Sequence, residues 1–384
     1  MFSLDSLALT SIAGYVLLAA VTLISARKHD WRDPLWRSSM LLAVAGNLLA
    51  YAAASPWVFL AGWCLSVAPL WLDRESYGHG VRVIHSLSIG ALTAAFLHPH
   101  PVFAFGLLVF AAFLRKGIFP FHFWVPGAFE RGSIPYLGLL FNGHLGAYLM
   151  LRFAVPRYPE IASQALSILG MLAILTSLYA AVLGIAARQP RRILALLCIS
   201  QAAFILAGIE NRNPEGITGA LLQWWVVAFA TTSLLLVYRA LEARTTEAAM
   251  PQGMQGMLGL GYHAPRLAVF FAVSALALIG LPGTLGFIAE DLLFHGSLES
   301  HPLLGIGLPL ATAINAITAI RLMAVLFMGR RGLHTPPVPD ATMRERLAFS
   351  LLVVLLVAGG IAPSLPIELR GHSAAWIAGL LTSR

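Results

Sequence analysis

Charged residues are scarce in this sequence. Only 11% of its 384 residues are Asp, Glu, Lys or Arg, against roughly 25% in ordinary soluble domains. The 25 basic and 17 acidic side chains hardly provide the polar surface that a soluble chain of this length needs. Hydrophobic residues make up 58% of the chain, and the mean hydropathy is +0.79. The composition excludes an ordinary soluble protein and indicates one embedded in lipid.

Cysteine is also rare, with only Cys64 and Cys198, both within apolar runs. Two cysteines exclude a disulfide scaffold and any iron–sulfur or metal site with four thiolate ligands. The sequence also lacks a Gly-rich phosphate loop, His/Cys metal spacing and a nucleophile elbow. We therefore expect this chain to bind no cofactor or metal and to perform no soluble-type enzyme chemistry.

Long apolar runs dominate what is present. Runs of about 17 to 25 apolar residues each suffice to cross a bilayer as a helix, and we find twelve, which predicts an all-α polytopic membrane protein. The first run has no basic segment or cleavage site before it, so we expect it to remain as a span. The predicted spans are 5–26, 37–54, 56–72, 81–97, 102–125, 134–154, 161–187, 191–209, 216–238, 265–294, 302–327 and 347–362.

The net charge of +8 is explained by topology. Loops after odd-numbered spans hold 17 of the 25 basic residues and the opposite side holds five. The positive-inside rule then predicts a bacterial cytoplasmic membrane protein with both chain ends outside, and no nucleic-acid binding. The remaining three basic residues, Arg115, Lys116 and Arg321, fall inside apolar segments.

The fifth span contains two of these cations and a break. Arg115 and Lys116 lie about 13 residues into it, about 20 Å from its edge. Pro120 and Pro126 follow, and they should interrupt the helix where it faces protein or water. The alternative is that the span ends at Phe119 and both cations extend to the membrane interface.

The tenth span repeats this arrangement. The segment IGLPGT (279–284) interrupts it, and Glu290 and Asp291 follow. Two broken helices in corresponding places indicate inverted repeats, which we predict over 37–154 and 161–327. The carboxylates would then serve ion transport, unless they lie solvated near the outer interface.

Other polar residues within spans are candidates too. His144 in the sixth span is either a proton carrier or an imidazole bonded to a backbone carbonyl. His85, His122, Arg321 and the row Thr231-Thr232-Ser233 are secondary candidates, for which a structural role is the simpler interpretation.

Several motifs carry a family resemblance. FPFHFWVP (119–126), LGAYLMLRFAVP (145–156), GIENRNPEGITGALLQ (208–223) and IGLPGT (279–284) resemble the antiporter-like membrane subunits of respiratory complex I, membrane-bound hydrogenases and Mrp antiporters. The M-type subunit of NADH:quinone oxidoreductase is the most similar variant, and the resemblance covers about residues 4–365. It implies two inverted five-helix repeats, each with a broken helix, and proton translocation through buried charged residues. The family usually has fourteen spans, so its first two are expected to be missing here.

The resemblance transfers unevenly to individual residues. The family's glutamate position holds Cys64, its broken-helix lysine position holds Arg115 with Lys116 one step away, and its next lysine position holds His144. The family's histidine falls at Val227, whereas the carboxylate after the second break is retained as Glu290. Because arginine does not deprotonate in proteins, a relay needs Lys116, or His144 with Glu290.

Three functions remain open from the sequence. The first is a proton-translocating, non-redox subunit of a redox-driven complex, with quinone, NADH or metal centres only in its membrane-arm and soluble partners. The second is a non-conducting structural descendant, and the third is the proton-channel partner of an inorganic-carbon-accumulating complex. We expect one transmembrane domain (1–384), a loop at 239–264 and a tail (363–384) with a brief amphipathic helix at about 374–381.

Overall fold

The computed structural model describes residues 5–245, 257–329 and 338–382, and these form helices with no strand. The α-helices are α1 Ser6–Ile24, α2 Lys28–Arg32, α3 Pro34–Ala52, α4 Pro56–Val67, α5 Pro69–Leu72, α6 His79–Leu97, α7 Pro101–Lys116, α8 Trp124–Arg131, α9 Ile134–Asn142, α10 Leu145–Leu149, α11 Val155–Arg157, α12 Pro159–Ala186, α13 Pro190–Ile209, α14 Pro214–Glu242, α15 Pro265–Leu278, α16 Leu285–Ser300, α17 Pro302–Phe327, α18 Met343–Ile361 and α19 Ser364–Thr382.

The helices confirm a polytopic membrane protein. In the described part of the chain, eight helical segments are long and apolar enough to cross a membrane, or nine if α18 and α19 form one bent span. The predicted spans 37–54, 56–72 and 265–294 also coincide with helices, but these do not meet the same criteria singly. The number of twelve spans therefore stays a prediction.

Local sequence explains where many helices begin. Proline occupies the first turn of α3, α4, α7, α12, α13, α14, α15 and α17. Its missing N–H costs nothing there and its fixed φ suits a helix. Side-chain caps add to this, since Asp33 accepts from the amide of Leu35 and Asn213 accepts from that of Gly216.

The centre of the bundle is α14, which is buried along almost its whole length and packs against α9, α13, α15, α16 and α19. Small residues bring other helices close together. A Cβ on Gly46 would lie 2.3 Å from the backbone nitrogen of Ser66, and one on Gly62 would lie 2.6 Å from that of Ala50. These two glycines allow α3 and α4 to pack backbone to backbone.

Ion pairs join helix ends on the arginine-rich side. Arg239 pairs with Asp30 of α2, Arg244 with Glu345 of α18, and Arg191 with Glu242 of α14. The arginines that predict the cytoplasmic side thus also hold the ends of distant helices together. Arg330, Arg331, Arg384 and part of the predicted loop 239–264 lie outside the described residues.

The opposite end of the bundle carries the beginning of α1, the beginning of α12 and helix α19, and we call it the terminal face. There Arg152 pairs with Asp5, and the Ser6 hydroxyl donates to the carbonyl of Leu369. The expectation of a brief helix at about 374–381 was too short. Helix α19 runs over Ser364–Thr382 and meets α18 at 85°, because its buried face packs on α14 and α1.

Candidate functional site

The first break follows the two cations directly. Helix α7 ends at Lys116, Gly117 adopts a left-handed φ of 66°, and helix α8 begins at Trp124. Only glycine adopts this conformation readily, and a Cβ there would lie 2.8 Å from the Val125 side chain. Arg115 and Lys116 are each only 2% exposed. The alternative in which both extend to the membrane interface is therefore wrong.

Lys116 faces His144. The lysine Nζ lies 2.6 Å from Nδ1 of His144 and 3.2 Å from the carbonyl oxygen of Phe141. His144 sits between α9 and α10 with φ of 46°, which turns the backbone at the contact. Gly146 leaves room for the lysine, because a Cβ there would lie 2.6 Å from Lys116 Cγ. The two side chains that sequence reasoning treated separately form one buried pair.

Arg115 faces a different set of groups. Its Nη2 donates to the hydroxyl of Ser66 at 2.9 Å, and its Cζ lies 4.5 Å from the ring centre of Trp63. Cys64, where the family resemblance implies a glutamate, is half-buried on α4, the helix that also carries Trp63 and Ser66. Among the described residues no carboxylate forms an ion pair with Arg115. This buried cation is stabilised by an aromatic ring and a hydroxyl.

The second break positions Glu290. Gly280 and Gly283 have φ of 69° and 89° between α15 and α16. The Glu290 carboxylate accepts a hydrogen bond from Thr312 at 3.1 Å and lines a mostly apolar cavity of about 420 Å³ between α16 and α17. Asp291 is exposed beside His295. Asp291 is thus the more exposed of the two carboxylates, and Glu290 is partly buried.

Buried amide and hydroxyl side chains form hydrogen bonds between helices, and sequence reasoning missed most of them. The sequence feature that could have identified them is an amide or hydroxyl side chain within a strongly apolar predicted helix. The contacts are Asn142 to Thr232 at 2.8 Å, Ser274 to Ser233 at 2.7 Å, Gln223 to Gln201 at 2.8 Å and Asn315 to Ser200 at 2.7 Å. Of the row 231–233, only Thr231 bonds its own helix. Val227, where the family resemblance implies a histidine, is buried on α14 one helical turn from Gln223 and from Thr231.

Three of the secondary candidates contact aromatic rings or backbone carbonyl oxygens. His85 is buried with its ring 4.6 Å from that of Trp124, and His122 packs against Phe119 and Tyr179. Arg321 donates to the carbonyl oxygens of Ile185 and Ala187 at the C-terminal end of α12. In the part of the chain that the structure describes, no group of three His, Cys, Asp or Glu residues is placed to hold a metal ion.

This fold and site define a class of protein. A helical membrane bundle with two glycine-containing helix breaks, a buried Lys–His pair at one and a carboxylate at the other belongs to the broken-helix transporter type. The family model described as NADH:quinone oxidoreductase/Mrp antiporter, TM, matches residues 78–315. The chain belongs to this family.

Curated relatives agree over almost the whole chain. NAD(P)H-quinone oxidoreductase chain 4 1 of Synechococcus elongatus is 26% identical over 399 residues, which cover 93% of this chain and 74% of the relative. NADH-quinone oxidoreductase subunit N 2 of Aquifex aeolicus is 27% identical, with 94% of this chain and 68% of the relative covered.

Solved structures share the fold. A chain of respiratory complex I from Thermus thermophilus superposes with a TM-score of 0.87 and 25% identity, covering 100% of this chain and 86% of that one. A chain of the Mrp complex from Dietzia gives 0.83 at 18% identity, covering 99% of this chain and 86% of that one. At that lower identity the likeness concerns the fold alone.

Proposed function

We propose that this chain carries protons across the membrane as an antiporter-like subunit of a redox-driven complex resembling NADH:quinone oxidoreductase. The contact between Lys116 Nζ and His144 Nδ1 at 2.6 Å is the observation that carries the proposal. It places two groups that can each gain and release a proton within hydrogen-bonding distance, inside the bundle.

The pair has a simple chemistry. A protonated Lys116 donates to Nδ1, and the imidazole then carries its own hydrogen on Nε2. Transfer of the lysine proton to Nδ1 leaves a neutral amine and an imidazolium, which releases a proton from Nε2. The proton thus enters the imidazole at one nitrogen and leaves from the other. Arg115 keeps its proton throughout and contributes a fixed charge.

Glu290 is the second proton-exchanging group in this proposal. It follows the second break, accepts a hydrogen bond from Thr312 and lines a cavity between α16 and α17. Two breaks, each with an ionisable group, support twelve spans arranged as inverted repeats over 37–154 and 161–327.

We further propose a bacterial cytoplasmic membrane location with both chain ends outside, and redox cofactors held only by partner subunits.

A non-conducting structural subunit is the second candidate. It is favoured by the buried Arg115, which has Ser66 as its hydrogen-bond partner in place of a carboxylate, and by Val227 at the family's histidine position. Under this alternative the buried polar side chains only stabilise the packing of the helices, and proton movement by the complex does not depend on them.

The test is to isolate the complex from its native membrane through a tag on this chain and to reconstitute it in vesicles. Redox-driven proton flux is compared between wild type and the double variant His144→Ala/Glu290→Gln, with Lys28→Ala as an exposed control. Loss of flux with intact electron transfer supports the proposal, whereas unchanged flux supports the structural candidate. Co-purified subunits are identified at the same time, since a zinc-containing soluble partner without redox subunits would favour the inorganic-carbon function.

A further inference from the structure

Arg370 is a buried cation outside the chain segments that form the two helix breaks. It belongs to α19 on the terminal face and is 0% exposed. Its Nη1 donates to the hydroxyl of Thr10 at 2.8 Å, and its Cζ lies 4.2 Å from the ring centre of Trp225. No described carboxylate pairs with it. A buried charge without an anion is costly, and an apolar side chain would anchor α19 at less cost.

The position of Arg370 relative to His144 is defined by one shared ring. Trp224 lies 5.6 Å from the Arg370 Cζ and 5.5 Å from the imidazole of His144. The guanidinium and the imidazole are therefore no more than about 11 Å apart, a distance at which unit charges interact in a protein interior. Arg370 reaches from the terminal face toward the Lys116–His144 pair.

Further aromatic side chains surround Trp224, the ring that contacts both Arg370 and His144. Trp224 contacts Tyr51 and Tyr148, with ring centres 6.4 and 6.5 Å away. The Tyr148 hydroxyl donates to the carbonyl of Tyr51 at 2.6 Å, and the Tyr51 hydroxyl donates to the carbonyl of Gly143, the residue before His144. Trp224 therefore contacts both His144 and Arg370, and Tyr51 and Tyr148 pack around it with their hydroxyls bonded to backbone carbonyls.

We propose that Arg370 is an electrostatic seal that keeps protons and other cations from reaching the Lys116–His144 pair directly from the terminal face. This inference rests on the proposed role of that pair in proton movement. Arginine stays charged at any pH that a protein meets, and a fixed cation in a narrow passage repels protons and metal cations. Protons then reach and leave the pair through the rest of the bundle, which prevents a leak across it.

The competing explanation is that Arg370 only fastens α19 to α1 and α14. The two roles respond differently to substitution. Arg370→Lys keeps the charge but loses the planar guanidinium over Trp225, whereas Arg370→Met keeps apolar length and loses the charge. Thr10→Ala removes the hydrogen bond and leaves the charge in place. If Arg370 acts through its charge, only the variants that remove the charge should change the proton leak. If it acts through its contacts, the variants that remove a contact should change it as well.

The test uses the intact complex in vesicles with the redox reaction switched off and a pH gradient imposed. An internal dye follows the passive proton leak. We expect Arg370→Met and Arg370→Gln to raise the leak by about tenfold, the effect of one unit charge at this distance. Arg370→Lys and Thr10→Ala should stay close to wild type. The matched control is Arg157→Met, which removes an exposed arginine from the same face. Adding His144→Ala to Arg370→Met should abolish the extra leak.

Two outcomes overturn the seal. The first is a leak that is unchanged in Arg370→Met and Arg370→Gln, or equal in the lysine and methionine variants. The second is a leak in Arg370→Met that persists without His144. Either result leaves the proposed function standing if redox-driven flux still requires His144. If driven flux proves independent of His144, the proposed role of the pair fails, and the seal fails with it.

Discussion

The ammonium of Lys116 contacts Nδ1 of His144, while its neighbour Arg115 points to Ser66 on another helix. Successive helical residues project about 100° apart, so two adjacent cations at the end of α7 reach different groups. The guanidinium of Arg115, which does not deprotonate, is thus kept apart from the ammonium of Lys116, which can exchange a proton with the imidazole of His144. The family resemblance implies a lysine at the position of Arg115, but Lys116 makes the contact that suits a proton relay.

The Lys116–His144 pair is expected to act as one unit. Lys116→Ala and His144→Ala should each lower redox-driven proton flux by about 100-fold, in the lower range for a group that transfers protons. The double variant should lose little more than the worse single one, because residues in direct contact are not additive. Flux in vesicles, measured against electron transfer, checks this. Lys28→Ala, at an exposed lysine, should be unchanged, and additive losses would contradict a shared role.

Glu290 and Asp291 form a natural comparison of neighbouring carboxylates. Both side chains line the cavity, but Glu290 is partly buried and accepts a hydrogen bond from Thr312, whereas Asp291 is exposed beside His295. We expect Glu290→Gln to reduce driven flux by about 100-fold, because the amide keeps the shape but cannot carry a proton. Asp291→Asn should stay within about twofold of wild type, since a solvated carboxylate contributes little to buried chemistry. Equal losses in both variants would argue against a specific role for Glu290.

Substituting Cys64 and Arg115 together is expected to increase redox-driven proton flux. The family resemblance implies a glutamate and a lysine at these positions, where an anion assists a titrating cation. Cys64→Glu/Arg115→Lys should raise driven flux above wild type, because lysine can release the proton that arginine retains. Cys64→Glu alone should give no gain. The neutral control Cys64→Gln/Arg115→Lys should also give none, and an equal gain from that control would show that the anion is irrelevant.

Gly280 shapes the second break. Any Cβ at this residue would lie 2.5 Å from Glu290 Oε2, whereas Gly283 has no atom within 4 Å of such a Cβ. Both have positive φ, so alanine costs about 1–3 kcal/mol of backbone strain at either position. Only Gly280→Ala should also displace Glu290 and reduce flux. Thermal unfolding of the full chain in detergent checks the shared cost, and flux checks the difference. Flux that falls equally in Gly283→Ala would mean that strain, and not the Glu290 contact, is responsible.

Much of the fold was predictable because its determinants are local. The apolar runs predicted helices at every one of the proposed ranges, and IGLPGT (279–284) predicted the interruption between α15 and α16. Glycine and proline change backbone conformation wherever they stand, so neighbouring residues matter little to that prediction. The position of Glu290 beside the second break could be anticipated for the same reason, since it closely follows IGLPGT (279–284) in the sequence.

The partners of the polar groups were not predictable in this way. Asn142 and Thr232 are 90 residues apart, and Gln201 and Gln223 lie on different helices. Sequence spacing does not state which faces of two helices meet, because packing angles and close glycine contacts decide that. Sequence reasoning therefore named His144 and Lys116 but did not pair them.

The sequence by itself determined the class of this protein, its helix breaks and the short set of ionisable residues within apolar segments, because hydropathy and backbone preference act over a few residues. Only the tertiary structure decided how those residues are used. It paired Lys116 with His144, placed Arg115 against the Ser66 hydroxyl and drew Arg370, counted from sequence among the loop arginines, into the bundle. These outcomes depend on how distant helices pack, since a buried charge takes its partners from whichever helices surround it.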